Sequence, residues 1–222
     1  MLRVVVYMRR MLLISLLLTL SFISYGQYRY NKLVWSDEFS KDGAPDSTKW
    51  AYNIGTGSNG WGNNEAQFYT NELSNARIEN GKLVIEARKE NKGGKFYTSA
   101  RMLTQGKATW TYGRIEVRAK IPKGVGTWPA IWMLGKNIIE PGGFWTSTHG
   151  TVSWPACGEI DIMEHWGNNQ NFVQSAMHTP SSFGNTINKG GQTISTVSSQ
   201  FHIYTLEWTA ERMIFSVDNV VH

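Results

Sequence analysis

The chain has 222 residues, with 22 Lys or Arg against 17 Asp or Glu, a formal net charge of +5 and 13% aromatic residues. Arg3, Arg9 and Arg10 carry three of those charges ahead of any acid, so the rest of the chain is only weakly basic, at +2. No Lys/Arg cluster interleaves with aromatics there, which speaks against a nucleic-acid partner. The one cysteine, Cys157, excludes an internal disulfide.

Residues 1–26 read as a secretory signal peptide. The basic pair Arg9-Arg10 precedes an apolar run from Met11 to Ile23, and Ser24 and Gly26 place small residues before a cut. The run is short of the ~20 residues a membrane-spanning helix needs, and no cysteine near the cut suggests a lipid anchor. The expected domain therefore runs from Gln27 to His222, as a monomer that is secreted, periplasmic or at the cell surface, with no membrane attachment.

The elements then follow in chain order. Arg77–Ala87 predicts a hairpin, with Asn80-Gly81 as a two-residue turn. Gly113–Ile121 alternates apolar with charged residues, and Phe201–Trp208 and Met213–Val217 alternate as well. Long apolar patterns of helical period are absent after residue 26. Many short strands separated by Gly, Asn and Pro turns predict an all-β sandwich or barrel. Trp128 and Trp132 fall on one face of a strand, where either a core role or a ligand-stacking role fits Trp132. Pro141–Pro155 reads as a long loop rich in Gly, Ser and Thr that carries Phe144, Trp145 and Trp154. Cys157 reads as a small packing residue.

The chemistry is concentrated in Gly158–Gly167. Glu159, Asp161 and Glu164 lie in an otherwise apolar stretch. In a strand, Glu159 and Asp161 share one face and Ile160 and Ile162 the other. Glu164 stands at an odd offset from Glu159, so a regular strand turns it away. A β-bulge at Ile162-Met163 would return it to the acidic face. Three carboxyls on one face repel one another unless one is protonated or a cation is bound. The residues alone leave three readings open: a solvated face, a divalent-metal site, or the ionised-plus-protonated pair of a glycosidase.

Glu159-Ile160-Asp161-Ile162-Met163-Glu164 resembles the signature of glycoside hydrolase family 16, in its laminarinase-like branch, where an extra residue precedes the second glutamate. Trp35–Phe39 resembles that family's opening strand, Asn63–Thr70 the segment entering its cleft, and Thr98–Met102 a strand with a substrate-contacting arginine. Tyr112–Arg118, Gly126–Leu134 and Phe201–Thr209 are similar to further family segments in the same order. The resemblance implies a jelly-roll sandwich of two curved antiparallel sheets, with Glu159 as nucleophile, Glu164 as proton donor and Asp161 between them. It implies a retaining endo-glycosidase acting on β-1,3-glucan. Asn63, Arg101, Trp128, Trp132 and Trp166 would bind sugar, and His178, from the neighbouring strand, would reach the acid–base carboxyl or the substrate. No cofactor is implied for catalysis. A structural calcium is a property of many members, and Glu38 marks its candidate region here. Measured against the family pattern, the domain is expected to be C-terminally incomplete at His222. Hydrolysis of mixed-linkage glucan or algal galactan, glycan binding without turnover, and metal-dependent hydrolysis are the alternatives.

Overall fold

The computed structural model describes residues 30–139 and 151–222; residues 1–26, read as a signal peptide, and most of the Pro141–Pro155 loop lie outside them. From Lys32 onward the chain forms one unit, built of fourteen strands among the described residues. These are β1 (Ala51–Asn53), β2 (Gln67–Tyr69), β3 (Ala76–Ile78), β4 (Leu83–Ile85), β5 (Tyr97–Ser99), β6 (Arg101–Leu103) and β7 (Gly113–Ala119). They continue with β8 (Ala130–Leu134), β9 (Glu159–His165), β10 (Phe172–His178), β11 (Lys189–Thr193), β12 (His202–Trp208), β13 (Met213–Val217) and β14 (Val220–Val221).

Two four-stranded antiparallel sheets carry the fold, in the orders β11-β10-β9-β8 and β14-β13-β12-β7. Their facing side chains make the core: Ile162, Met163 and Val173 from the first sheet meet Tyr204, Leu206 and Val217 from the second. Alternation explains the choice. Val117, Tyr204 and Val217 stand in one rung, with Ile115, Leu206 and Phe215 in the next. Each large apolar side chain buried there contributes about 1.5–3 kcal/mol. The remaining strands form the pairs β1-β6, β2-β5 and β3-β4. This is the predicted jelly-roll sandwich.

The Arg77–Ala87 hairpin is present. Ala76 pairs with Ile85 and Ile78 with Leu83, and Asn80 and Gly81 turn at φ 53° and 68°. Positive φ at both turn residues is what a type I′ turn requires. Two segments differ from expectation. Trp35–Phe39 has no ladder partner among the described residues. It is held instead by side chains: Trp35 meets Trp50 and Trp110 edge-on, and Asp37 accepts from Trp50 Nε1 at 2.8 Å. The strand around Arg101 is broken at the buried Ala100, because its two halves bond different neighbours. β5 pairs parallel with β2, whereas β6 pairs antiparallel with β1.

Candidate active site

One register places the acids. Across the first sheet, paired residues share a face. Leu134, Glu159 and His178 form one rung; Trp132, Asp161, Ala176 and Lys189 form the next; Ala130, Glu164, Gln174 and Gly191 form the last. The bulge that reconciles them lies at Ile162-Met163, as the sequence suggests. Ile131 pairs with Met163 but Trp132 with Asp161, and Gln174 pairs with Glu164 but Ala176 with Asp161. β9 thus carries one residue more than either neighbour. Ile162 and Met163 are both buried in the core, and Glu164 rejoins Glu159 and Asp161 on the opposite face.

The three carboxyls have distinct surroundings. Asp161 is buried, and burial, followed by the charges of Glu159 and Glu164, pushes its pKa up to about 9. It is hydrogen-bonded to Glu159. Two carboxyls can share a hydrogen bond only through a proton, and that raised pKa keeps the proton on Asp161 near neutral pH. Glu164 is also buried. Burial raises its pKa most, the charge of Glu159 adds to this, and hydrogen bonds from Trp128 and Gln174 oppose it. Trp128 Nε1 donates to Glu164 Oε1 at 3.2 Å, and Gln174 Nε2 donates to Oε2 at 3.4 Å. Glu159 is half-buried, the most accessible of the three.

His178 turns to Asp161 rather than to Glu164. Its Nε2 stands 3.1 Å from Asp161 Oδ2, off the hydrogen-bonding direction, so that Oδ2 has no hydrogen-bond partner. Gly184 N–H donates to Nδ1 at 3.1 Å. Nδ1 is therefore an acceptor, and the ring proton of neutral His178 sits on Nε2.

That tautomer bears on metals. Among the described residues, one group of three potential ligands comes together, Glu159, Asp161 and His178, with donor atoms within 4.8 Å of one another. It does not fit a resident cation. The nitrogen nearest the carboxylates carries the ring proton, whereas a ligand nitrogen must be bare. Glu38 is exposed and belongs to no group of three His, Cys, Asp or Glu side chains among the described residues.

The aromatic residues are distributed around this row. Trp128 and Trp166 stack with ring centroids 5.7 Å apart, tilted by 23°, beside Glu164. Trp132, the rung neighbour of Asp161, presents its face to a cation: Arg101 lies between it and Trp61, at 4.8 and 4.7 Å from the two rings. Asn63 sits on the exposed turn that carries Trp61, with Nδ2 3.4 Å from Glu65 Oε1. Trp61 and Gly62 adopt left-handed φ of 56° and 82° there. Tyr69 and Gln67 also donate to the Glu65 carboxylate, at 2.7 and 2.6 Å, which fastens the turn to β2. Trp154 lies 5.8 Å from the His178 ring and meets Phe183 edge-on at 5.4 Å.

Gln174, Trp61 and Phe183 are additions to the residues singled out from sequence. Gln174 was legible, since period two from His178 puts positions 174, 176 and 178 on one face. Nothing local marks Trp61 or Phe183, which reach the site from loops. Cys157 is half-buried, and burial raises its thiol pKa, which suits packing and not nucleophilic attack.

Known proteins share this arrangement of strands. The family model described as "Glycosyl hydrolases family 16" matches residues 63–222. A protein named β-glucanase from Rhodothermus marinus is 46% identical over 194 residues, covering 86% of this chain and 64% of its own length. The chain thus spans somewhat under two-thirds of that relative. A glucan endo-1,3-β-glucosidase from Cryptopygus antarcticus is 39% identical, covering 86% of this chain and 67% of its own length. Among solved structures, the laminarinase from Rhodothermus marinus superposes with a TM-score of 0.76 at 46% identity, over 86% of this chain and 72% of that one. With a family match over most of its length and relatives of this identity, the chain belongs to glycosyl hydrolases family 16.

Proposed function

We propose that this protein is a retaining endo-β-1,3-glucanase, with Glu159 as nucleophile and Glu164 as acid–base. The observation that carries the reading is the bulge in β9. It sets Glu164, whose pKa is raised by burial, on the same face as the more accessible Glu159. Retaining glycosidases need one carboxylate to attack and one carboxylic acid to protonate the leaving oxygen. The names of the relatives, laminarinase and endo-1,3-β-glucosidase, support β-1,3-glucan as the substrate.

In the first step Glu164 gives its proton to the glycosidic oxygen while Glu159 attacks the anomeric carbon. The C–O bond breaks and a glycosyl ester forms on Glu159. In the second step Glu164, now ionised, takes a proton from water, whose oxygen attacks the anomeric carbon and frees Glu159. Asp161 donates its hydrogen bond to Glu159, and His178 backs Asp161. Arg101, braced by two tryptophans, and Asn63 hydrogen-bond sugar hydroxyls, while Trp128, Trp132 and Trp166 line the glucan path. The chemistry draws on carboxyl groups alone, so no cofactor is required, and the enzyme works outside the cytoplasm as a monomer after its signal peptide is removed. No helix among the described residues is long and apolar enough to cross a membrane.

Reducing-sugar release from laminarin, lichenan and agarose, beside a Glu159→Gln control, tests the reading. Release from laminarin that vanishes in the control is expected. Preference for agarose, or release that survives in the control, would overturn it.

A further inference from the structure

The bulge that aims Glu164 has a cost of its own, because an extra residue breaks the ladder on both sides of β9. The residue opposite the break is Ser175, between Gln174, which pairs with Glu164, and Ala176, which pairs with Asp161. Ser175 is buried, at 2% exposure, and its hydroxyl donates to the Ile162 carbonyl at 2.8 Å. A side chain here bonds a backbone carbonyl within the bulge itself.

Neighbouring groups fix the direction of that bond. Gln192 Nε2 donates to His222 Nδ1 at 3.0 Å, which leaves the imidazole proton on Nε2. His222 Nε2 lies 2.9 Å from Ser175 Oγ. The serine oxygen accepts from His222, and its single proton is committed to Ile162. Burial lowers the His222 pKa, consistent with the neutral ring this chain requires. Every donor along Gln192, His222, Ser175 and Ile162 is thus assigned.

We infer that Ser175 is a positioning residue for catalysis: its hydroxyl pins the bulge in β9 and so holds Glu164 on the face of Glu159. Side-chain direction in a strand alternates, so relaxation of the bulge by one residue turns Glu164 toward the core. Smaller relaxation still matters, since a misplacement of about 1 Å at a reacting group costs roughly 100-fold in rate. The inference rests on the reading of Glu164 as the acid.

Ser175→Ala tests it with two substrates. Cleavage of a laminarin oligosaccharide needs Glu164 to protonate a poor leaving group. Formation of the glycosyl ester from a 2,4-dinitrophenyl β-laminaribioside does not, and kcat/KM reports that step. The expected result is a fall in kcat/KM of about 10- to 100-fold on the oligosaccharide and of less than about 3-fold on the aryl glycoside, with KM little changed. The retained aryl-glycoside rate also shows that the variant is folded. Equal losses on both substrates would mean a general structural role, and no loss on either would mean no role; each overturns the inference. Ser175→Cys, nearly isosteric with a weaker donor, should fall between wild type and alanine, and it carries the same test should the alanine variant not fold. A wild-type chain inactive on both substrates would instead sink the glycosidase reading, and so the two failures are distinguishable.

Discussion

His178 Nε2 and Asp161 Oδ2 stand 3.1 Å apart on adjacent strands, with the far side of the imidazole fixed by the Gly184 N–H. Burial, with the neighbouring Glu159 carboxylate, keeps Asp161 neutral in the middle of the acidic row. Stability should record this. Asp161 binds its proton more tightly folded than unfolded, because its pKa is raised from 3.8 to about 9. The stability it supports is whole below about pH 4 and is lost as the pH rises toward about 9. Asp161→Asn cannot ionise and retains a donor toward Glu159. Its melting temperature should exceed that of wild type by about 3–6 °C at pH 8, with the gap shrinking toward pH 4. A gap that widens on acidification would show that Asp161 is ionised in the native protein.

Trp128 Nε1 donates to Glu164 Oε1 at 3.2 Å and thereby favours the charged carboxylate. Trp128→Phe keeps the apolar ring against Trp166 and removes that donor. The Glu164 pKa then rises further, and the alkaline limb of kcat/KM, where the acid loses its proton, moves to higher pH. Measuring the pH–rate profile of both proteins on laminarin oligosaccharides checks the direction. A shift to lower pH would contradict the assigned hydrogen bond.

The Arg101 guanidinium lies over the rings of both Trp61 and Trp132. Each face contributes about 0.5–2 kcal/mol of orientation. Arg101→Ala should raise KM for laminarin oligosaccharides by about 5- to 30-fold. Arg101→Lys should recover little of it, because an ammonium lacks the planar surface that two indoles can sandwich. Full recovery by lysine would reduce the role of Arg101 to charge alone.

Gly167 lies two residues beyond the strand that carries the acids, and a Cβ there would lie 1.7 Å from the Gly124 carbonyl oxygen and 2.6 Å from Thr127 Oγ1. Backbone, and not a flexible tip, blocks the space. Gly167→Ala should cost about 1–3 kcal/mol, a drop in melting temperature of roughly 3–10 °C. It should also displace Trp166 from Trp128, seen as a change in tryptophan fluorescence. An unchanged melting temperature would refute the close approach.

The acid row was legible because strand geometry leaves few choices. Period two put Glu159 with Asp161, and the odd offset of Glu164 required one bulge, which the register shifts place at Ile162-Met163. The Asn80-Gly81 hairpin was legible for a similar reason, since few residues tolerate two consecutive positive φ values. What escaped is long-range. That Arg101 lies between Trp61 and Trp132 depends on a loop meeting two strands, and no spacing in the sequence encodes it. His178 was placed on the correct neighbouring strand, but which carboxyl it meets follows from its rung with Glu159 and the side chain's reach to Asp161. The opening segment around Trp35 has the composition of a strand, yet its contacts are indole edges and the Asp37 side chain, which propensity does not distinguish from a ladder.

The division of labour between Glu159 and Glu164 is open to one direct measurement: the anomeric configuration, by NMR, of the glycosyl azide formed from 2,4-dinitrophenyl β-laminaribioside by alanine variants in the presence of azide. In Glu159→Ala, azide takes the place of the missing nucleophile and should yield the α-glycosyl azide. In Glu164→Ala, the glycosyl ester still forms on Glu159, and azide entering from the other face should yield the β-glycosyl azide. The opposite pairing of variant and anomer, or azide products from neither variant, would contradict the assignment of Glu159 as nucleophile and Glu164 as acid–base.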